Sequence, residues 1–311
     1  MGKEILLYYS DPAIGEVELW DTPRGLELYI NGGLQFCEKD EYRYHQIVFL
    51  LPLLMLPEKK KKEVLVLGGG DGLGVRELLR LPDVKKITVV DISKLMTDVV
   101  ARHSQMKEIN FDSFSSPRVE IINEDGYEFV KRAKTKGRKY DAVILDYPDP
   151  SIRPDDQVNR LFSSEHYKDI CDIVKEKGII SLQATSVIIT PNVFRRVVLE
   201  VSKVFPRVYP LKCPIPSFGD IGVVIARKKG DFRLKRTIKG IFFNQQSIKG
   251  LEVKFFHEDE KPTADDEVLL SYPLHELVKW DFNLRPEELS EIVEGIYRQQ
   301  IKSAEEQNAG Q

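Results

Sequence analysis

The sequence predicts an α/β fold, in which a mostly parallel sheet with helices on both faces follows a small antiparallel β-domain. From Glu63 onward, short β-branched apolar segments alternate with segments of helical periodicity, which is typical of βαβ units. Before them, two segments alternate apolar and polar residues on either side of "DTPRG", which predicts an antiparallel hairpin of "EVELW" and "LELYI".

The predicted elements follow in a regular order. A buried helix at "YHQIVFLLPLLML" should connect the β-domain, residues 1–57, to the main domain, residues 58–230. The strands and helices of the main domain are expected at "EVLVLG", "GVRELLRL", "KITVVD", "SKLMTDVVARH", "RVEIIN", "GYEFVKRAK", "YDAVILD", "SEHYKDICDIVKEK", "GIISLQA" and "NVFRRVVLEVSKVF", and two last strands at "RVYPLK" and "GVVIARK". Residues 231–311 are polar and charged, so we expect an appendage with one helix and a disordered tail.

Composition excludes several classes of function. A net charge of −3 is far from the basic balance of proteins that bind a phosphate backbone, so we expect no nucleic-acid partner. No C-x-x-C pair occurs among the three cysteines, Cys37, Cys171 and Cys213, which indicates reduced thiols and a cytoplasmic location. Since the histidines also lack a ligand pattern, we expect no metal. No segment approaches the roughly 20 apolar residues of a transmembrane helix, so no membrane partner is expected.

A glycine-rich turn follows the first strand of the main domain. "VLVLGGGDGLG" lets the backbone turn sharply and approach a ligand at Gly68, Gly70 and Gly72. Asp71 in this turn would repel a pyrophosphate and so favours a nucleoside without phosphate. Asp91 ends the next strand, where it can accept ribose hydroxyls, and Asp125 follows the third, where it can accept an adenine amino group. Together they predict an adenosine pocket of the S-adenosylmethionine type; the alternative is a tight turn without a ligand.

Two carboxylates follow the fourth strand, in "ILDYPDP". No serine, cysteine or histidine accompanies Asp146 and Asp149, so the pair suits proton acceptance and cation binding better than nucleophilic catalysis. The alternative is an aspartate that caps the next turn beside prolines that end the strand.

Four stretches, "GGLQFCEKDEYRYH", "GGGDG", "NEDGYEF" and "LDYPDP", resemble the polyamine aminopropyltransferases, the family of spermidine and spermine synthases. The likeness covers about residues 12 to 228. It implies a methyltransferase-like Rossmann domain, decarboxylated S-adenosylmethionine as co-substrate without a prosthetic group, and methylthioadenosine as by-product. It also implies a di- or polyamine acceptor such as putrescine, agmatine or spermidine, and a dimer or tetramer assembled through the N-terminal sheet.

The resemblance also implies roles for individual residues. Asp146 matches the family's proton acceptor, Asp91 its ribose ligand, and Asp125 with Gly126 its adenine site. The residues matching the acceptor side are Gln35, Tyr44, His45, Asp71, Asp149 and Phe218.

The sequence departs from typical spermidine synthases at several points. "DYPDP" replaces D-S-S-D-P or D-S-T-D-P, and the tyrosine-glutamine pair usual in the N-terminal sheet is missing, with Ile14 and Gly15 in its place. Phe218 in "PIPSFGDIG" replaces a tyrosine, which is similar to the thermospermine synthase branch. The acceptor therefore stays open among putrescine, agmatine, cadaverine, norspermidine and spermidine.

Residues 151–167 could form a lid or a plain surface connection.

Two other functions remain as alternatives. One is an S-adenosylmethionine-dependent methyltransferase of a small molecule, which would share the glycine turn. The other is a catalytically silent protein that binds a polyamine or nucleoside in the same pocket.

Overall fold

The computed structural model describes residues 3–57, 61–150, 157–230 and 270–271. A four-stranded antiparallel sheet comes first, confirming the predicted β-domain and adding a strand on each side of the predicted hairpin. Its strands, in spatial order, are β1 (Glu4–Asp11), β2 (Gly15–Thr22), β3 (Gly25–Ile30) and β4 (Gly33–Cys37).

The second sheet has eight strands in the order β12-β10-β11-β9-β8-β5-β6-β7. The pairs among β9, β8, β5, β6 and β7 are parallel, and β11, β10 and β12 are added antiparallel. The bounds are β5 (Lys62–Gly68), β6 (Val84–Asp91), β7 (Val119–Asn123), β8 (Tyr140–Asp146), β9 (Val174–Ser186), β10 (Arg207–Ile215), β11 (Gly219–Arg227) and β12 (Leu270–Ser271). The predicted α/β class with a mostly parallel sheet is confirmed.

Helices cover both faces of this sheet. They are α1 (Glu41–His45), α2 (Leu51–Leu54), α3 (Leu73–Leu79), α4 (Lys94–Arg102), α5 (Ser104–Ile109), α6 (Gly126–Thr135), α7 (Ser164–Ile173) and α8 (Pro191–Ser202). A π-helical turn, Gln46–Leu50, joins α1 to α2, and 3₁₀ turns cover Ser113–Ser115 and Gln157–Phe162. Every residue from His45 to Leu56 is buried, as the apolar run predicts. Within the described ranges, no helix has the length and apolarity to cross a membrane.

Successive residues of the central strands enter two different cores. Ala142 and Ile144 of β8 belong to the core beneath the π-helical turn and α2, whereas Val143 and Leu145 belong to the core beneath α6, α7 and α8. Side chains of a strand point alternately to its two faces, and burying a valine, leucine or isoleucine side chain contributes roughly 1.5–3 kcal/mol. This alternation sets Asp146, the last residue of β8, on the face of Ile144.

The small sheet packs directly on the larger unit. Val17, Leu19 and Leu28 share a core with Met96 and Val100 of α4. Ser93, which caps α4, also donates its hydroxyl proton to Asp11 at the end of β1. The N-terminal sheet therefore lies beside the strand end that carries Asp91.

The expectations for residues 231–311 lie largely outside the described residues. Only the strand Leu270–Ser271 is described there, and it pairs with β10 through Leu211 and Lys212. This part of the chain therefore adds a strand to the main sheet.

Candidate active site

The predicted site residues meet where the parallel strands end. The register sets Gly68 of β5 opposite Asp146 of β8, and Asp91 of β6 opposite Asn123 of β7. Carboxyl ends of parallel strands share one edge of a sheet, which is where α/β proteins form their binding crevices. We call Gly68, Gly70, Gly72, Asp91, Asp125 and Gly126 the nucleoside side of this edge, and Tyr44, His45, Asp71, Asp146 and Asp149 the acid side.

Three of the acids make the same local hydrogen bond. In each, Oδ1 accepts the backbone N–H two residues later, at or just before the start of a helix: Leu73 N to Asp71 at 2.9 Å, Ser93 N to Asp91 at 2.8 Å, and Tyr127 N to Asp125 at 2.8 Å. Such bonds satisfy donors that a helix start leaves unpaired. They fix each carboxylate at its strand end and leave Oδ2 for a second partner.

The glycine turn packs tightly against these acids. Gly68 has a φ of +89°, a conformation that favours glycine, and a Cβ on Gly70 would lie only 2.6 Å from Asp91 Oδ2. Burial and the charge of Asp71 raise the pKa of Asp91 to about 6, although the Ser93 N–H stabilises the carboxylate. Asp91 is therefore held in contact with the turn and takes up a proton near neutral pH.

Asp125 caps helix α6, which begins at Gly126. Its Oδ2 accepts a hydrogen bond from the Arg160 guanidinium, which also lies over the Tyr127 ring at 4.7 Å from the centroid. The 3₁₀ turn that carries Arg160 thus covers the nucleoside side.

Asp146 meets Tyr44 on the acid side. The Tyr44 hydroxyl donates to Asp146 Oδ1 across 102 residues of sequence. Burial, and then the charge of Asp71, raise the pKa of Asp146 to about 6, while the hydrogen bond from Tyr44 opposes that rise. Asp146 is therefore a carboxylate that gains or loses a proton close to neutral pH.

His45 lies between two carboxylates. Its Nδ1 is 2.7 Å from Glu41 Oε2, and its Nε2 is 3.8 Å from Asp71 Oδ2. Burial alone would lower the pKa of His45, but these two carboxylates raise it to about 10, so the ring is an imidazolium at neutral pH. Glu41 also accepts a hydrogen bond from Arg76 at 3.0 Å and forms an ion pair with the same guanidinium at 2.9 Å. Although burial opposes it, His45 lowers the pKa of Asp71, which is thus a stable negative charge beside Asp146.

Asp149 is anchored from strand β9. Gln183 Nε2 donates to Asp149 Oδ1 at 2.7 Å and to the Tyr147 carbonyl at 3.2 Å. The Thr185 N–H donates to Gln183 Oε1 at 2.8 Å, and Thr185 has a φ of +62°, a conformation that a β-branched residue rarely adopts. The end of β9 therefore holds the Gln183 amide in place, and this amide in turn orients Asp149.

The turn that carries Phe218 links β10 to helix α1. The Ser217 N–H and hydroxyl donate to Asp40, the residue before α1, at 2.7 and 2.6 Å. Phe218 and Tyr44 pack against the same core, and the role of Phe218 beside the acceptor stays a prediction.

Two expectations from the sequence remain predictions. Gln35 is exposed on β4 and donates back to the Gly33 carbonyl of its own strand at 2.9 Å, so its role as an acceptor ligand stays a prediction. Of the predicted lid, residues 151–156 lie outside the described residues, and residues 157–167 form the 3₁₀ turn with Arg160 and the start of α7.

Sequence reasoning missed several partners of the site. Glu41 stands four residues before His45, a helical spacing that could have indicated the pair. Gln183, Arg160 and His166 carry no such local signal, because their partners come from other strand ends. No sequence motif includes His166, whereas the structure sets its Nε2 3.0 Å from the Tyr147 hydroxyl.

Comparisons with known proteins point to one family. The family model described as "Spermine/spermidine synthase domain" matches residues 41–237. The "Polyamine aminopropyltransferase 2" of Ralstonia nicotianae is 35% identical over 215 residues, which are 69% of this chain and 41% of that protein. The "Polyamine aminopropyltransferase" of Leptospira interrogans is 32% identical over 228 residues, 73% of this chain and 44% of that protein. The chain thus spans about two fifths of the length of these curated relatives.

Two solved structures share the fold. The spermidine synthase of Thermotoga maritima superposes with a TM-score of 0.65 at 26% identity, over 73% of this chain and 74% of that one. A spermidine synthase in complex with the transition-state analogue AdoDATO gives a TM-score of 0.64 at 25% identity, over 73% of each chain. Since the family model alone covers more than half of the sequence, the chain belongs to the spermine/spermidine synthase family.

Proposed function

We propose that the protein is a polyamine aminopropyltransferase, which moves a 3-aminopropyl group from decarboxylated S-adenosylmethionine to a primary amine of a di- or polyamine. The observation that carries the proposal is Asp146, a partly buried carboxylate whose pKa is raised to about 6 and whose oxygen accepts the Tyr44 hydroxyl. Family membership and the solved relatives support the same reaction.

The reaction requires a base rather than a protein nucleophile. An alkylamine with a pKa near 10 is protonated at neutral pH, so its ammonium must lose a proton before the nitrogen can attack carbon. Asp146 first pairs with the ammonium and then accepts its proton. The new N–C bond forms as the C–S bond breaks, and the electron pair of that bond stays on sulfur, which leaves methylthioadenosine as a neutral thioether.

The remaining acids suit cation binding. In the proposed complex, Asp71 and Asp149 pair with the ammonium of the aminopropyl group and with the far end of the acceptor, which aligns the two substrates. The His45 imidazolium keeps Asp71 charged. S-adenosylmethionine itself would bring its carboxylate against these acids, and such like-charge contact costs several kcal/mol when desolvated. The acid side therefore favours the decarboxylated donor.

The nucleoside side suits the adenosine of the donor. Asp91 would accept the ribose hydroxyls, Asp125 and Gly126 would contact the adenine, and the glycine turn would approach the sugar. The bond between Arg160 and Asp125 leaves carboxylate lone pairs for an adenine amino group, since each oxygen accepts more than one hydrogen bond.

The acceptor is proposed as a di- or polyamine longer than putrescine, as in the thermospermine synthase branch. Phe218 supports this, because an apolar ring at the position where spermidine synthases commonly carry a tyrosine offers no hydroxyl to a short diamine. Mass spectrometry of the products from an equimolar mixture of putrescine, agmatine, cadaverine, norspermidine and spermidine identifies it. Recovery of spermidine as the main product would contradict the longer acceptor.

Location and assembly are also part of the proposal. The free thiols of Cys37, Cys171 and Cys213 support a cytoplasmic enzyme. Ile5 and Tyr8 on the edge strand β1 are 49% and 56% exposed, which supports a homodimer or tetramer formed through the N-terminal sheet.

One experiment tests the reaction against both alternatives. The purified protein receives decarboxylated or intact S-adenosylmethionine together with the amine panel, and the nucleoside products are separated. We expect methylthioadenosine only with the decarboxylated donor. Release of S-adenosylhomocysteine from the intact cofactor would instead identify a methyltransferase, and tight amine binding without turnover would identify a binding protein.

A further inference from the structure

Tyr147 stands directly after the proposed base but faces the other side of the sheet. Asp146 meets Tyr44, whereas Tyr147 enters the core beneath α6 and α7 and is only 8% exposed. Tyr147 thus continues the alternation of β8, in which consecutive side chains point to opposite faces. Asp146 is directed to the acid side and Tyr147 to the interior.

The interior partner of Tyr147 is His166. The Tyr147 hydroxyl lies 3.0 Å from His166 Nε2, and His166 is fully buried on α7. Burial lowers the pKa of His166 to about 4, so the imidazole is neutral, and its tautomer sets which of the two groups donates. In either case the bond holds the Tyr147 hydroxyl beside His166.

The Tyr147 hydroxyl also lies against the nucleoside side. A Cβ added to Gly126 would lie 3.3 Å from the Tyr147 hydroxyl oxygen and 3.4 Å from the edge of its ring. Gly126 is the first residue of α6 and follows the capping residue Asp125. The Tyr147 side chain therefore supports the backbone of the turn that presents Asp125.

The same turn is braced from His166. The His166 ring stacks on Tyr127 with centroids 5.0 Å apart and planes at 27°. The Tyr127 N–H donates to one oxygen of Asp125, and Arg160, which lies over the Tyr127 ring, binds the other. A continuous chain of contacts thus runs from Tyr147 through His166 and Tyr127 to Asp125.

We propose that Tyr147 is a positioning residue for the nucleoside of the donor: bonded to His166, it holds the Asp125–Gly126 turn in the geometry that binds adenine. The inference rests on the proposed function and adds to it a role for a residue that replaces a small hydroxyl residue of typical spermidine synthases. It gives the bulky Tyr147 a place on the donor side, away from the acceptor amine.

The test compares single hydroxyl deletions from one core. Tyr147→Phe removes the hydroxyl that contacts His166 and Gly126. Tyr167→Phe removes a fully buried hydroxyl from the same core that has no hydrogen-bond partner among the described residues. Calorimetry measures the Kd of methylthioadenosine for each, and steady-state kinetics measures KM for the donor and for the acceptor.

Loss of one oriented hydrogen bond should weaken methylthioadenosine binding about 3- to 10-fold in Tyr147→Phe and raise the donor KM by a similar factor. The acceptor KM should stay unchanged, and Tyr167→Phe should match the wild type. Equal affinities of Tyr147→Phe and Tyr167→Phe, or a change confined to the acceptor KM, would overturn the inference.

Two variants of the partner separate positioning from simple loss of packing. His166→Gln keeps an oxygen that can accept the Tyr147 proton and should retain nucleoside affinity within about 2-fold, whereas His166→Leu should lose as much as Tyr147→Phe. Combining His166→Leu with Tyr147→Phe should add little, because both remove the same bond. Additive losses would show that Tyr147 and His166 do not act through one bond.

If the wild type binds no methylthioadenosine at all, the proposed function itself fails, whereas wild-type binding with an unaffected Tyr147→Phe refutes this inference alone.

Discussion

The two sides of the site are built in different ways. On the nucleoside side, Asp91 and Asp125 are fixed by backbone groups only two residues away. On the acid side, Tyr44 reaches Asp146 across 102 residues, and Gln183 reaches Asp149 across 34. The first side is a repeated local motif at strand ends, and the second is an assembly of distant segments. The difference suggests that nucleoside binding and proton transfer can be damaged separately.

The two sides also differ in charge. The acid side gathers Asp71, Asp146 and Asp149 near Tyr44, with the His45 imidazolium beside Asp71, so the site concentrates negative charge. Asp71 is central to this effect, since its charge raises the pKa of both Asp146 and Asp91. A cationic amine would relieve the repulsion on binding, which is the electrostatic form of substrate selection.

The largest expected effect is that of Asp146→Asn, which should change the transfer rate without changing nucleoside affinity. Asp146→Asn removes the proton acceptor and should lower the rate of aminopropyl transfer by about 10²–10⁴-fold, while methylthioadenosine binding stays within about 2-fold of the wild type. Single-turnover kinetics and calorimetry measure the two quantities. The surface variant Asp98→Asn, which removes a carboxylate paired with Lys94 on α4, serves as the control. Retained turnover in Asp146→Asn would remove the aspartate from its proposed role.

The opposite pattern is expected for Asp91→Asn. Losing a charged acceptor of two ribose hydroxyls should weaken methylthioadenosine binding by about 10- to 100-fold and raise the donor KM, with a smaller change in kcat. Calorimetry with methylthioadenosine and kinetics at saturating donor separate these quantities. A large loss of kcat with unchanged nucleoside affinity would show that nucleoside binding and catalysis do not belong to separate sides of the site.

Acid pH should affect both sides together. The pKa of Asp146 and that of Asp91 are raised to about 6, so both carboxylates are charged above this pH and become protonated below it. We expect kcat/KM to fall below about pH 6, approaching a hundredfold per pH unit when both protons bind. In Asp91→Asn the decline should lessen to about tenfold per unit. A profile that stays flat to pH 5 would contradict the assignment of Asp146 as the base.

The smallest expected effect concerns the choice of acceptor. Phe218→Tyr introduces the hydroxyl that spermidine synthases commonly carry at this position and should raise kcat/KM for putrescine relative to spermidine by about 3- to 10-fold, the value of one hydrogen bond. Competition assays with both amines measure the ratio, and nucleoside affinity should not change. An unchanged ratio would show that Phe218 does not set the length of the acceptor.

Much of the site could be predicted from the sequence because its acids follow strands of clear periodicity. Asp71, Asp91, Asp125 and Asp146 are each recognisable as strand-end or turn residues, and parallel strands bring such ends to one edge. Gln183 and Arg160 could not be predicted, because an amide in a strand and an arginine in a loop have no local pattern that names their partners. His166 could not be predicted for the same reason, since its partner follows a different strand.

The sequence by itself determined the alternation of strands and helices, the glycine turn and the acids that cap the helices after it, since these depend only on residues a few positions apart. Only the tertiary structure decided that Tyr44 bonds Asp146, that His45 is charged between Glu41 and Asp71, and that Tyr147 turns to His166. The physical reason is that strand register and helix packing set such contacts. Burial then sets their charge states, and neither can be read from the spacing of the residues.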